Sequence, residues 1–305
     1  MRMQEVLNRS GYAVVIAARQ GSTRLPGKAL VRYNHQTNLE QIISRWKALS
    51  RRSPEIIVMT TVNGEDDAVE AQCNRSGVLC YRGAEFDVLG NVHGAIERYA
   101  PDAEYIARGL ADNPLVDVEL VDWRVDLLRE SGCDGVWHGM DGERITYAGT
   151  TDVWSRSAWE RIAAESTGEQ REHPGLYFWD NLSRFNVTQM CLPRREYLQP
   201  VRTELDTPAD LEMFRAVFGW WEREQPYPDE VLPTIEALCY LERHPVIADL
   251  NRGVPLKTQT KPHFKGSVWL CRNCQELSGV IVAGDLVVNC PRCGRAQKFY
   301  AHKQR

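Results

Sequence analysis

The chain has 305 residues, 43% of them apolar and 26% charged, with a formal net charge of −4. That length allows two domains, or one large domain with an appendage, and a sizeable core; the composition is ordinary for a soluble globular protein. The sequence offers no apolar run of membrane-spanning length and no signal-peptide core in residues 1–11, so a cytoplasmic protein without membrane contact is expected. The charge is unevenly spread. Residues 257–305 carry nine Lys or Arg against two acids, which leaves the rest of the chain at −11. An acidic body with a basic tail suggests two units, and the body is a poor binder of nucleic acid.

In chain order, Tyr12–Ala18 (YAVVIAA) reads as a buried strand. A polar loop follows. Thr37 and Glu40 form a capping box that opens a helix whose apolar stripe is Leu39, Ile42, Ile43, Trp46 and Leu49. Ile56–Thr60 reads as a strand, Asp66–Ser76 as a helix, Val78–Arg82 as a strand and Phe86–Tyr99 as a helix. Tyr105–Arg108 ends a further strand, and Val118–Arg129 is helical. Strands alternating with helices predict an α/β fold, in which ligands bind beyond the carboxyl ends of the strands. That rule puts RQGSTRLPGK (19–28) and GLADNPLVD (109–117) on one edge.

From Asp134 onward the pattern is less regular. Trp154, Trp159, Phe178, Trp179, Trp220 and Trp221 read as core. In LDTPADLEMFRAVF (205–218), Asp206 or Thr207 caps a helix and Pro208 occupies its first turn. NRGVPLKTQTKPHFK (251–265) has no apolar period and reads as a linker, with the first domain bounded at residues 1–252, the connection at 253–265 and the tail unit at 266–305.

The loop ARQGSTRLPGKAL (18–30) contains two glycines and a lysine but is not a Walker motif. Five residues separate Gly21 from Gly27, and Ala29 stands where a metal-binding hydroxyl is needed. Arg19, Arg24 and Lys28, with the amides and hydroxyls of Gln20, Gly21, Ser22 and Thr23, suit a polyphosphate; a basic solvated loop is the competing reading. The loop resembles the A-R-x-G-S-x-R-L-P-G-K-x-L signature of the CMP-sugar synthetase superfamily, nearest to the spore-coat polysaccharide cytidylyltransferases. TTVNGEDD (60–67), YRGAEFDVLGNVHGAIERY (81–99), ADNPLVD (111–117), REH (171–173), ELDTPADLEMFRAVF (204–218) and LERHPVIADLNR (241–252) match in order, so the resemblance covers about residues 12–252.

The resemblance implies a nucleotide-diphosphosugar-transferase-like mixed sheet flanked by helices. It also implies transfer of CMP from CTP to an acidic acceptor, with release of pyrophosphate. Arg19 and Lys28 would hold the outer phosphates, with Ala18, Gln20, Gly21, Ser22 and Arg24 around the nucleotide. Asp112 and Asp206 would hold Mg2+, although each has a plainer reading, as a turn aspartate and a helix cap. Thr61 and Asn63 would border the cytosine. Asp87 reads either as a cap or as a group facing ribose or acceptor. Arg171 and His173 lie on the acceptor side with Asp152, which falls in a stretch (145–155) that matches only loosely. The acceptor is therefore open: a nonulosonic or other acidic sugar, a phosphonate and a phosphate compound all suit it. A homodimer is expected. The alternatives are a same-fold enzyme using another nucleotide, and a non-catalytic binding protein acting through its tail.

That tail holds Cys271, Cys274, Cys290 and Cys293 in C-x2-C-x15-C-x2-C spacing, the pattern of a four-cysteine zinc ribbon. A unit of this size builds little core, so zinc would supply its folding energy. It reads as a structural ribbon for packing or dimer contacts, with a basic nucleic-acid- or protein-binding module as the rival.

Overall fold

A computed structural model describes residues 11–33, 35–137, 151–189, 201–224 and 230–254, together with the backbone of four short strands between 267 and 299. The first half alternates as expected. Strand β1 (Tyr12–Ala17) is followed by α1 (Asn38–Leu49), β2 (Glu55–Thr61), α2 (Asp67–Ser76), β3 (Leu79–Gly83), α3 (Val88–Tyr99), β4 (Tyr105–Leu110) and α4 (Val118–Ser131). The Thr37–Glu40 capping box is present in both directions.

Four parallel strands run in the order β3-β2-β1-β4. The chain fills one side of β1 with β2 and β3, then crosses to the other side with β4. The switch point therefore lies between β1 and β4, where open α/β sheets leave a crevice at the carboxyl ends. Alternation along β1 divides the core. Tyr12, Val14 and Ile16 pack with α1, α2 and α4 on one face. Ala13 and Val15 face α3 and the aromatic residues of the second half on the other.

The second half completes the sheet with three-residue strands, β5 (Gly135–Trp137), β6 (Val153–Ser155) and β7 (Val187–Gln189), in the order β4-β6-β5-β7. β6 runs antiparallel to both β4 and β5, while β5 and β7 are parallel, so the sheet is mixed. Helices α5 (Arg156–Glu165), α6 (Glu169–Glu172) and α7 (Leu176–Asp180) surround it. Trp154, Trp159 and Phe178 are core, as their size predicts; Trp179, Trp220 and Trp221 are half-buried.

Helices α8 (Pro208–Glu224), α9 (Thr234–Arg243) and α10 (Pro245–Ala248) build a third apolar cluster. It includes Leu25 and Tyr33 from either end of the basic loop, and the Tyr33 ring stacks on Phe218 at 4.7 Å. The buried Arg45 of α1 donates to the carbonyls of Val116 and Leu232 and to Thr234 Oγ1, joining α9 to the turn before α4. The chain then closes with a 3₁₀ turn at Asp249–Asn251. Asn251 is 1% exposed and hydrogen-bonded, so it belongs to the folded body, within the 1–252 bound, although it opens the aperiodic stretch 251–265.

In the tail, β8 (Ser267–Leu270) pairs antiparallel with β9 (Leu277–Ile281), and β10 (Leu286–Asn289) with β11 (Ala296–Phe299). Residues 271–276 and 290–295 are therefore the segments between the paired strands of the first and second hairpin. The four cysteines expected to bind zinc lie in those connections, outside the described residues.

Asp87 shows how the layer over the second face is tied down. It caps α3 by accepting from the Gly90 amide at 3.0 Å, and its other oxygen pairs with Arg171 of α6 at 2.7 Å. The Arg171 guanidinium and the Gly90 amide hold this carboxyl below its ordinary value of 3.8. A depressed carboxylate adds stability above its unfolded value and loses it as pH falls through the folded one. Arg171→Gln is accordingly expected to lower the melting temperature at about pH 6, with the difference from the parent shrinking below pH 3.8. Melts across that range check it; a difference independent of pH would remove the ion pair as its source.

Candidate active site

The loop after β1 is shaped by its own backbone. The Gln20 carbonyl accepts from the amides of Ser22 (2.7 Å) and Gly27 (3.1 Å), and Lys28 N bonds to Leu25 O at 3.2 Å. Closing the loop this tightly requires a left-handed residue, and Gly27 supplies it at φ 73°. Asn38, the first residue of α1, is fully buried; its Nδ2 donates to the carbonyls of Lys28 (3.1 Å) and Ala111 (2.5 Å). One side chain thus sets the loop after β1 against the loop after β4. A third segment joins them where Leu205 N bonds to Asp112 O at 2.8 Å.

These links bring Lys28, Asp112 and Asp206 together. Lys28 Nζ lies 3.3 Å from Asp112 Oδ2 and 2.8 Å from Asp206 Oδ1. Burial opposes the charge on Lys28, but the charge of Asp112 and the hydrogen bond to Asp206 outweigh it and hold the ammonium above the ordinary lysine value. Asp206 is 2% exposed, and its Oδ2 also takes Arg24 at 2.6 Å and Arg202 at 3.0 Å. Of the two capping candidates it is Thr207 that caps α8. Thr207 Oγ1 accepts from Asp210 N at 3.3 Å, and Asp210 Oδ2 accepts from Thr207 N at 2.8 Å. Asp206 is thereby left to face the cations.

Oδ1 of Asp112 is buried and has no hydrogen-bond partner among the described residues. Two carboxylates converging on one cationic nitrogen, with a buried oxygen to spare, form a donor set suited to a hard divalent ion. Among the described residues no three His, Cys, Asp or Glu side chains gather as a complete metal cage. An ion here would draw its remaining oxygens from ligand and water, as Mg2+ commonly does.

Arg19 is exposed beyond the end of β1, with its guanidinium 3.9 Å from Glu85. Glu85 also accepts from Asn63 Nδ2 at 3.0 Å, so the loops after β1, β2 and β3 meet around one carboxylate. Thr61 is buried and donates through both its amide and its hydroxyl to Asp66. The amide of Gln20 donates to the other oxygen of Asp66 at 2.8 Å. Asp66 therefore joins the basic loop to the end of β2, a role that sequence reasoning missed within TTVNGEDD. Gly21 passes close to Glu65, whose Oε1 would lie 2.8 Å from a Cβ added there. Ala18 is buried and bonds through its amide to Met59 O. Ser22 Oγ accepts from Leu25 N at 3.4 Å, a bond internal to the loop.

The residues expected on the acceptor side also collect. Arg108 of β4 donates to the Pro174 carbonyl and lies 3.8 Å from Asp152. Burial raises the Asp152 carboxyl, against the pull of Arg108 and Arg124. Gly175 packs beside the same carboxylate, so Asp152 sits under the turn that follows Arg171 and His173. Arg171 is committed to Asp87, as above, which makes Asp87 both cap and ion-pair partner. His173 is exposed and only its backbone is hydrogen-bonded among the described residues.

Comparison with known proteins agrees with this geometry. The family profile described as cytidylyltransferase matches residues 13–212. An uncharacterised protein of Methanocaldococcus jannaschii is 30% identical over 250 residues, 80% of this chain and 96% of that protein. The spore coat polysaccharide biosynthesis protein SpsF of Bacillus subtilis is 29% identical over 239 residues, 76% of this chain and 94% of that protein. Among solved structures, a cytidylyltransferase of Leptospira borgpetersenii superposes with a TM-score of 0.69 at 24% identity, over 78% of this chain and 96% of that one. A CMP:2-keto-3-deoxy-manno-octonic acid synthetase complexed with CTP superposes at 0.50 and 16% identity, over 68% and 98%. The two structural likenesses concern the fold. No described helix is long and apolar enough to cross a membrane. The profile match spans the basic loop, both aspartates and the start of α8, and on it the chain belongs to the cytidylyltransferase family.

Proposed function

We propose that the protein transfers CMP from CTP to an acidic acceptor, releasing pyrophosphate, and that Mg2+ assists. The observation that carries this reading is the meeting of Lys28, Asp112 and Asp206 at the switch point of the sheet. The reaction is attack by an acceptor oxygen on the α-phosphorus of CTP, with negative charge growing on the leaving pyrophosphate. Such a step is promoted by positioning and by fixed charge. In this reading Arg19, exposed at the end of β1, and Lys28 bind the outer phosphates, with the Gln20–Ser22 backbone between them in the loop. Asp112 and Asp206 would hold Mg2+, which supplies charge neutralisation at the phosphates. With a nucleotide and ion bound, Lys28 would exchange its two carboxylates for phosphate oxygens. Thr61 and Asn63 line the β2 end where the base is expected.

In this reading Arg171 and Arg108 supply the positive charge that orients an anionic acceptor at the other end of the crevice, with Asp152 beside Arg108. The spore coat polysaccharide protein and the octonic acid synthetase among the relatives support an acidic sugar as that acceptor. The antiparallel pairing of the two tail hairpins, with a Cys-x2-Cys in the sequence between the strands of each, supports a zinc ribbon separate from the catalytic body. In this reading the body acts as a homodimer in the cytoplasm.

CTP is expected to bind more tightly than UTP, ATP or GTP in the presence of Mg2+; calorimetric titration of each nucleotide checks this, and equal affinities would sink the cytidylyl assignment. Asp112→Asn and Asp206→Asn are each expected to lower turnover about 100-fold or more in a folded protein. Pyrophosphate release with a panel of acidic sugars reads this, after melts have confirmed folding; near-parental turnover in either variant would remove that carboxylate from the site.

The purified chain is expected to contain about one zinc, removable by cysteine substitution at Cys271 or Cys290. A chain ending at Val254 should keep CTP binding, and sedimentation of the full and shortened chains reports whether the ribbon supports the dimer. A folded, shortened chain that no longer binds CTP would place the ribbon inside the active site.

A further inference from the structure

Asp206 is held from behind by a buried chain of side chains that leads away from the crevice. The Arg202 guanidinium is 6% exposed and hydrogen-bonds through NH2 to Asp206 Oδ2 and through Nε to Asp210 Oδ1, each at 3.0 Å, while NH1 makes an ion pair with Glu204 at 2.8 Å without hydrogen-bond alignment. Asp210 is fully buried, and its Oδ2 accepts from the amides of Asp206 (3.0 Å) and Thr207 (2.8 Å) and from the Thr207 hydroxyl (2.8 Å). The chain ends on Asn251. Its Nδ2 donates to the Arg202 carbonyl at 3.0 Å and to Asp210 Oδ1 at 2.9 Å. Asn251 lies beyond residue 212, where the family match stops.

We propose that Arg202 and Asn251 are positioning residues that aim the Asp206 carboxylate at the metal and Lys28, so that the 3₁₀ turn closing the folded body is part of the catalytic apparatus. Three observations carry this. The Asp206 carboxylate sits directly before a helix N-terminus, where the free amides of the first turn are ready partners for it. Pro208 brings no amide to that turn, the Asp210 amide donates to Thr207 Oγ1, and Asp210 Oδ2 holds the backbone just ahead of the helix through the amides of Asp206 and Thr207. Arg202 then takes Oδ2 of Asp206, with Arg24, and leaves Oδ1 toward Lys28. Arg202 is buried behind Asp206, so its effect on the reaction passes through that carboxylate. Asn251 fixes Arg202 and Asp210 against each other with one amide group.

The inference rests on the reading of Asp206 as a metal ligand, and the test separates the two. Removing a cation next to a metal site would itself tighten metal binding, so charge-conserving changes are used. Arg202→Lys keeps the charge but cannot reach three carboxylates at once, and Asn251→Ala removes the clamp with no change of charge. Both are compared with Asp206→Asn in the full-length chain. Mn2+ binding is followed by electron paramagnetic resonance with a non-hydrolysable CTP analogue, alongside the Mg2+ dependence of turnover.

Losing a supporting partner of a metal ligand typically costs ~10–100-fold in metal affinity or activity. Arg202→Lys and Asn251→Ala are therefore expected to weaken Mn2+ binding and raise half-saturating Mg2+ about tenfold, while KM for CTP at saturating Mg2+ moves less than about threefold. Folded variants that bind Mn2+ like the parent, while Asp206→Asn has lost it, overturn the positioning role and leave the metal site standing. A fall in melting temperature with unchanged Mn2+ affinity does the same. Asp206→Asn that binds Mn2+ like the parent overturns both.

Discussion

An ionised carboxylate taken out of water costs several kcal/mol unless charged partners replace the solvent around it. Asp206 is such a group, and the way the protein satisfies it decides much else. Its partners come from two places. Lys28 and Arg24 stand on the loop after β1, and Arg202 stands four residues upstream. Each must be delivered to the same point, so the loop must curl back through Gly27 and the chain before α8 must run beside Asp112. The apolar cluster of α8 and α9 serves the same end, because Leu25 and Tyr33 anchor the loop to the helices that carry Asp210 and its neighbours. The same carboxylate that would be costly if unpaired thus gathers distant segments into one site.

The sheet supplies the other half of the arrangement. A chain that winds β1, β2 and β3 to one side and returns to β4 on the other leaves two loops facing each other at the carboxyl edge. Lys28 and Asp112 belong to those two loops. Beyond β4 the strands shorten to three residues and reverse direction at β6, which ends the doubly wound pattern and makes room for the Arg108, Asp152 and Arg171 region. Nucleotide and acceptor ends of the crevice are therefore built by different kinds of structure. One is made by regular βα units, the other by short strands covered with bulky aromatic residues.

The difference in regularity explains what the sequence made legible. Strands β1 to β4 and their helices carry five or more residues of apolar pattern, and their periodicity is readable. β5 to β7 are too short for any period to show, so the mixed character of the sheet came from the likeness of motifs alone. Lys28, Asp112 and Asp206, all singled out by the motifs, are brought together as an ion-paired cluster. The plainer reading of Asp206 as a helix cap is displaced by Thr207, and the Thr-Pro-Ala-Asp box at 207–210 was the available signal. Arg202, Asp66 and Asn251 were not singled out. Each is a polar residue in a polar stretch, and only the tertiary fold turns its solvated appearance into burial. Asn251 opens the aperiodic stretch 251–265, and a single amide at a chain turn has no local signature.

The participation of Asn251 bears on how the molecule comes into being. The groups around Asp206 are drawn from residues 24–28, 112, 202–210 and 251, and the contacts that bring Lys28 and Arg24 to it close loops of 178 and 182 residues. Contacts of such long sequence separation form late, after the entropy of closing those loops has been overcome. On the ribosome, synthesis runs from the amino end, and the β1–β4 half can begin to condense while the last turn is still unmade. The Asp206 cluster reaches its full set of partners only when the end of the body has emerged and docked. Nucleotide-binding competence should therefore trail secondary-structure formation during refolding, making it a sensitive reporter of the last step in assembling the native state.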